Sequence, residues 1–236
     1  TSKESTTQGG TFTITAGDGV DDLTIGGNAF ITNGVFTAGS FTTALGNTLS
    51  VTAYNAGTGV VSYTYTLLDN EAHAAANGEN ALFENFAVHL TDTDTGVADS
   101  TLSVRIVDDV PTAEADVDKT TSGTANGNVI LGTGMTGGVA DITGADGLAS
   151  PAVVGVSTSA GSITDGTGVG GVVASAKGTL TLGADGAFTY TKTDAEATGT
   201  DTFYYTIIDK DGDPSTTTLT INLDSNPTIT NLTPKA

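Results

Sequence analysis

The 236-residue chain carries 27 acidic against 7 basic side chains, a formal charge of −20, with 37% apolar and 6% aromatic residues and neither cysteine nor tryptophan. That balance excludes a nucleic-acid surface, which needs Lys and Arg against phosphate, and disfavours an anionic membrane surface. It also excludes disulfides and thiolate metal sites, and no apolar run approaches the roughly 18 residues of a membrane span.

Strand patterns recur at short intervals between Gly, Asn and Asp clusters, and helical periodicity is nearly absent. The first half reads as strands near Thr11–Thr15, Val35–Thr37, Thr48–Tyr54, Val60–Leu68, Phe83–Thr91 and Ser100–Val107. Tyr63, Tyr65 and Leu67 fall on one face, as do Leu102, Val104 and Ile106. Glu71–Asn80 is a polar, Ala-rich segment that predicts an insertion with one or two helical turns, ended by Asn77-Gly78, whose residues tolerate positive φ.

Val110-Pro111 marks a stiff, extended connector, because Pro disfavours helix before it. The second half then repeats the strand order with Leu180 and Leu182, Phe188 and Tyr190, Phe203, Tyr205 and Ile207, and Leu219, Ile221 and Leu223. The strands of Gly132–Gly171 cannot be placed; the segment is either a long Greek-key crossover or a surface flap. After Pro227, Thr-Ile-Thr-Asn-Leu-Thr reads as the opening strand of a further unit.

The expected fold is therefore all-β: two tandem immunoglobulin-like (Greek-key) β-sandwich domains over 1–110 and 111–227, joined head to tail by an acidic, Pro-ended linker. Residues 228–236 are expected to begin a following repeat in a longer array, with the chain itself a monomer.

The repeat also places acids. Phe86-Ala-Val-His-Leu-Thr-Asp92-Thr-Asp94 and Phe203-Tyr-Tyr-Thr-Ile-Ile-Asp209-Lys-Asp211-Gly-Asp213 are copies, 117 residues apart from Asp92 to Asp209. Alternate carboxylates on a tight turn can converge on one hard cation, and calcium (Ca2+) is the expected one, with Gly permitting the bend. The helix-loop-helix calcium motif does not fit, because Pro214 and Thr220 stand where it needs Gly and Glu. A solvated Asp-Gly hairpin turn needs no metal and is the alternative for either turn alone.

The linker acids Asp108, Asp109 and Asp224 are expected to meet the turn acids at a domain end, with Asp116 and Asp118 in the same cluster. Asp18, Asp21 and Asp22 form a weaker candidate, and Asp194 and Asp201 read as surface residues. No catalytic arrangement emerges: there is no Gly-x-Ser-x-Gly elbow and no His pair at zinc spacing. His89 alternates away from Phe86, Val88 and Leu90, which predicts an exposed strand histidine. Carboxylate pairs alone do not make a glycosidase without an aromatic cleft. Gly132-x-Gly134-x-x-Gly137 and Gly166-x-Gly168-x-x-Gly171 precede no helix, so they are not dinucleotide fingerprints. The chain is not expected to be an enzyme.

At Val107-Asp-Asp-Val-Pro-Thr-Ala113, at Gly178-Thr-Leu-Thr-Leu-Gly-Ala-Asp-Gly-Ala-Phe-Thr-Tyr190 and at Gly199-Thr-Asp-Thr-Phe-Tyr-Tyr-Thr-Ile-Ile-Asp-Lys-Asp-Gly212, the chain resembles repeat modules of very large type I-secreted RTX adhesins. Their repeats are bacterial immunoglobulin-like and cadherin-like domains. The resemblance implies extender modules, extracellular at the surface of a Gram-negative bacterium, that project a terminal region for cell adhesion and biofilm formation. It further implies calcium at domain ends, carried over onto Asp92, Asp94, Asp108, Asp109, Asp209, Asp211, Asp213 and Asp224, with neighbouring repeats as partners. The first turn departs from the second in lacking a third Asp. The alternative is a module of the same adhesins that binds a glycan or a protein or peptide ligand, on a host or biofilm surface, through Gly132–Gly171 or Glu71–Asn80.

Overall fold

The computed structural model describes residues 6–69, 71–74, 78 and 80–224. Every regular element among them is a strand, and no helix long and apolar enough to cross a membrane occurs there. Two compact units divide between Asp108 and Asp109, two residues before the expected boundary, and Ala74 and Gly78 group with the second. The described residues of Glu71–Asn80 form no helix. Residues 75–77 and 79 lie outside the described residues, as does the expected start of a further repeat at 228–236.

In chain order the first unit comprises β1 (Thr6–Thr13), β2 (Val20–Ile25), β3 (Asn28–Thr32), β4 (Val35–Phe36), β5 (Gly39–Thr42), β6 (Thr48–Asn55), β7 (Val60–Leu67), β8 (Ala81–Asp92) and β9 (Val97–Val107). They form two antiparallel sheets, ordered β1-β7-β6-β5 and β4-β3-β2-β8-β9. The second unit comprises β10 (Asp116–Lys119), β11 (Thr124–Asn128), β12 (Leu148–Ser157), β13 (Val172–Ala174), β14 (Gly178–Leu182), β15 (Ala187–Lys192), β16 (Gly199–Asp209) and β17 (Pro214–Leu223). Its sheets are ordered β11-β15-β14-β13 and β10-β17-β16-β12, with β10 parallel to β17.

Pairing registers show that the two units share one plan. Gln8 faces Tyr65 as Ala125 faces Tyr190, and Phe86 faces Leu102 as Phe203 faces Leu219. Tyr65 therefore corresponds to Tyr190, Val88 to Tyr205, and Ala98 to Ser215. The fold is two tandem immunoglobulin-like β-sandwiches. They differ at the sheet margins: the first adds β3 and β4 beyond β2, whereas the second adds β10 beyond β17.

Alternation explains each core. Phe86, Val88 and Leu90 point inward from β8 against Leu23, Ile25, Leu49, Val51 and Val61, and Phe41 meets Phe86 edge-on at 5.7 Å between ring centroids. Phe203, Tyr205 and Ile207 from β16 meet Leu219, Ile221, Leu180 and Leu182, with Tyr190 edge-on to Phe203 at 6.0 Å. Fully burying each such side chain contributes roughly 1.5–3 kcal/mol.

One polar contact is common to both cores. The Tyr65 hydroxyl donates to buried Glu84 at 2.7 Å, and the Tyr190 hydroxyl to buried Asp201 at 2.9 Å. Asp201 is thus not a surface residue; Ser175 also donates to it, and the acid ties the end of β15 to the turn before β14. Asp194 stays exposed.

Candidate metal centre

The turn between β16 and β17 is closed by backbone bonds from Asp209 N–H to Asp213 O (3.3 Å) and from Gly212 N–H to Asp209 O (3.3 Å). Gly212 lies at φ +96°, a region glycine enters without steric cost. Asp209 Oδ1 accepts the Gly212 and Asp213 amides at 2.9 and 2.7 Å, so this carboxylate folds back over its own turn. The Gly78 amide donates to Asp213 Oδ1 at 2.7 Å.

The remaining oxygens decide the chemistry. Asp209 and Asp213 are 1% and 0% exposed. Asp209 Oδ2, both oxygens of Asp211 and Asp213 Oδ2 are buried with no donor among the described residues. Oxygens of Asp211 and Asp213 lie within 4.8 Å of each other. Two like charges at about that distance repel by about 3–4 kcal/mol at an effective dielectric near 20. Burial, then contact with Asp211, pushes the Asp209 carboxyl up to about 7. A divalent cation would reverse that sign, and an all-oxygen donor set suits calcium or magnesium.

More acids gather at this pole of the second unit. Lys210 N–H bonds Gly147 O at 3.2 Å, so the 144–147 turn abuts the hairpin. Asp109 caps that turn, accepting Ala145 N–H at 2.5 Å, and its carboxylate lies within 4.8 Å of that of buried Asp146. A Cβ on Gly144, which has φ +69°, would sit 2.2 Å from Asp109 Oδ2, so glycine is required for the approach. Asp146 was not predicted. The Gly144-Ala-Asp-Gly147 turn could have pointed to it, but it lies in the stretch whose strands could not be placed.

In the first unit, the same hairpin is built with one fewer acid. Asp92 Oδ1 accepts the Asp94 and Gly96 amides at 3.3 and 2.6 Å, sharing with Asp209 the bond from the residue four positions on. Thr95 takes the position of Gly212, at φ +72°. Asp18, the weaker candidate, joins Asp92 and Asp94 within 4.8 Å. This group faces solvent, and Asp92 beside it raises the Asp94 carboxyl above its ordinary value through hydrogen bonding and charge. Asp21 and Asp22 stay on β2, where Asp22 accepts Asn33 N–H at 3.1 Å.

Asp108 and Asp224, the acids that follow the last strand of each unit, lie away from the hairpin of their own unit. Asp108 closes the first unit at the far end of β9 from Asp92 and Asp94, bonded through its N–H to Asn80 O at 3.0 Å and through Oδ2 to Asn80 Nδ2 at 3.1 Å. Asp224 lies at the far end of β17 from Asp209, with the length of that strand between them. There it bonds Thr120 and lies 3.8 Å from Lys192 Nζ, and the Thr120 hydroxyl holds its carboxyl below the ordinary value. Antiparallel geometry is the reason: a linker that follows the last strand leaves from the end opposite the hairpin that precedes that strand. Within each unit, therefore, the hairpin acids and the acid that follows the last strand stand at opposite ends of that strand.

Asp116 and Asp118 alternate inward from β10 and are used as structural acceptors rather than joining the hairpin. Asp118 accepts the Thr136 amide and hydroxyl at 3.1 and 2.9 Å. Asp116 accepts Val139 N–H at 2.9 Å and the Tyr205 hydroxyl at 3.1 Å. Buried Asp141 approaches the same hydroxyl at 3.3 Å and accepts Glu114 N–H at 2.8 Å; its other oxygen meets no donor among the described residues. Burial is the main cause lifting Asp141 to about 7, and it raises Asp116 as well. His89 lies on the exposed face as predicted, 2.7 Å from Asp99.

Residues 108–222, almost all of the second unit, match the model of the family described as bacterial Ig domain. The first unit repeats its strand order. No curated protein matches the chain. Among solved structures, the N-terminal eight Ig domains of Down Syndrome Cell Adhesion Molecule align over 94% of this chain and 22% of that one, at 11% identity and TM-score 0.27. The Bacteroides ovatus mixed-linkage glucan utilization locus protein SGBP-B, in complex with a mixed-linkage heptasaccharide, aligns over 92% of this chain and 42% of that one, at 9% identity and TM-score 0.21. The chain thus spans well under two thirds of either protein.

Proposed function

We propose that the chain is a structural pair of bacterial Ig-like modules from a cell-surface adhesin, in which calcium rigidifies the second unit at its β16–β17 hairpin. The four buried carboxylate oxygens of Asp209, Asp211 and Asp213 that meet no donor among the described residues carry the reading. Such a cluster is costly without a compensating positive charge. Asp209 positions itself through the Gly212 and Asp213 amides and presents Oδ2; Asp211 presents both oxygens, and Asp213 presents Oδ2. The bound ion would supply charge compensation and a cross-link, not chemistry on a substrate. The family match over 108–222 and the sequence resemblance support the extender and surface role.

The test compares thermal melts in chelator, millimolar calcium and millimolar magnesium, for the wild-type chain and for Asp211→Asn. Asp211 makes no hydrogen bond to a donor among the described residues, so this variant should fold and should be more stable than wild type in chelator. Calcium should raise the wild-type midpoint and leave the variant little changed. Equal midpoints for wild type in all three conditions would remove the metal from the reading. Glycan binding by the isolated chain would instead favour the ligand-binding alternative.

A further inference from the structure

Residues 158–171, the end of the stretch whose strands could not be placed from sequence, form a flap at the margin of the second unit. β12 ends its sheet among the described residues, and the flap lies along its other side. Gly166 N–H bonds Val154 O at 2.8 Å and Val156 N–H bonds Thr167 O at 2.9 Å, so Gly166 and Thr167 take the place of an added strand. Ile163 N–H bonds Thr206 Oγ1 at 3.2 Å on the outer face of β16. A Cβ on Gly155 would lie 2.1 Å from the Ile163 carbonyl oxygen, so glycine is needed for that approach. Against this flap Val154 and Thr206 are 7% and 1% exposed.

The first unit fills the same place with a regular strand. Val88 corresponds to Tyr205, and these pair with Ile25 and Val156, so β2 corresponds to β12. On its other side β2 pairs with β3, Leu23 opposite Ile31 and Ile25 opposite Asn28. The margin of β12 is therefore a position where this fold seats a strand, closed in the second unit by a flap that two backbone bonds tie to β12 among the described residues. Five of the flap's fourteen residues are glycine, which loses the most freedom on ordering, so little free energy holds it down. Charge selects what could replace it. Residues 147–164, which include all of β12, hold no charged side chain in a chain of formal charge −20. A second copy meets least self-repulsion there, and Val153, Val154 and Val156 are β-branched residues that suit strand pairing.

We infer that residues 158–171 are a strap guarding the edge of β12, and that lifting the strap lets β12 of a second copy pair there antiparallel. Two β12 edges related by a two-fold axis join their sheets into one, a closed dimer rather than an open chain. With the strap seated, the chain is the monomer expected from its sequence. This contact is independent of the hairpin cation.

The experiment is sedimentation velocity on the full chain over a concentration series, with circular dichroism confirming that each variant is folded. Ile163→Gly loosens the strap and should dimerise at least about tenfold more tightly than wild type, the scale of one Ile contact. Adding Val154→Lys places a charge on the uncovered edge and should return that variant to monomer. Hydrogen exchange on wild type gives a reading that needs no variant. The Gly166 and Val156 amides should exchange by local opening, at least about tenfold faster than the amides between β16 and β17. Folded Ile163→Gly that associates no more than wild type, or association that ignores Val154→Lys, would overturn the proposal. So would Gly166 and Val156 amides as protected as those between β16 and β17.

Discussion

The Asp92–Gly96 and Asp209–Asp213 hairpins have the same backbone bonds, the same carboxylate folded over its turn and the same left-handed residue, yet they sit in opposite surroundings. The first turn leaves its acids in water, where the cost of gathering charge is small. The second buries Asp209 and Asp213 and leaves four oxygens without donors among the described residues. A motif repeated in sequence thus gathers buried, donor-less carboxylate oxygens in one copy and solvated ones in the other, and burial makes the difference. Asp213 in place of Gly96, the Gly78 amide and the 144–147 turn set that burial.

The largest break in this comparison should come from removing the first acid of each turn. Asp209→Ala loses two charge-assisted amide bonds, each about 1.5–3 kcal/mol, so in calcium it should destabilise the second unit by about 3 kcal/mol. Asp92→Ala removes equivalent bonds at an exposed site and should leave the first unit nearly unchanged. Urea unfolding followed separately for the two units checks both; equal losses would mean that burial is not what distinguishes the turns.

Next come two substitutions that should behave alike. Tyr65→Phe strips a donor from buried Glu84, and Tyr190→Phe strips one from buried Asp201. Each should cost about 1–3 kcal/mol, the range for a buried polar group that loses its partner. The same unfolding curves should show one transition moved by each variant.

A smaller effect should separate the units by pH. Asp141 is raised from its ordinary 3.8 to about 7 by burial, so between those values the folded state binds more protons than the unfolded one. Its contribution is therefore greatest in acid and is lost as pH rises through about 7. In calcium, the second unit should melt higher near about pH 5 than near about pH 8 on this account, and Asp141→Asn should shrink the difference. The first unit has Val88 where Tyr205 anchors the second unit's carboxylate pair, so it has no matching response.

What could be read from the sequence follows from which contacts are local. Strict alternation in β8, β9, β16 and β17 exposed their core faces directly, and the repeat gave the hairpin acids Asp209, Asp211 and Asp213. β12 was not readable, because its bulged pairing with β16 buries Val153, Val154, Gly155 and Val156 in succession and erases the period of two. The short β2, β3 and β5 were hidden among Gly, Asn and Thr. Asp146 reaches the hairpin only through the 144–147 turn, a non-local contact that no spacing reveals. Asp224 was misplaced because nearness of motifs in the chain was taken as nearness in space, when a ten-residue strand lies between.

The smallest expected effect tests the turn itself, stripped of its acids. Thr95 and Gly212 occupy the same left-handed position, at φ +72° and +96°. A β-branched residue there is strained by its Cβ against the backbone, while glycine is not. Exchanging the two residues should therefore move stability in opposite directions. Thr95→Gly should stabilise the first unit by up to about 1 kcal/mol, reduced by the greater freedom glycine gives the unfolded chain. Gly212→Ala should destabilise the second by about 1–2 kcal/mol, and by the same amount in calcium and in chelator if the strain is purely backbone. A larger loss in calcium than in chelator would show instead that the left-handed residue aims Asp211 and Asp213 at the ion, so that turn geometry and metal affinity are one property in the second hairpin and unrelated in the first.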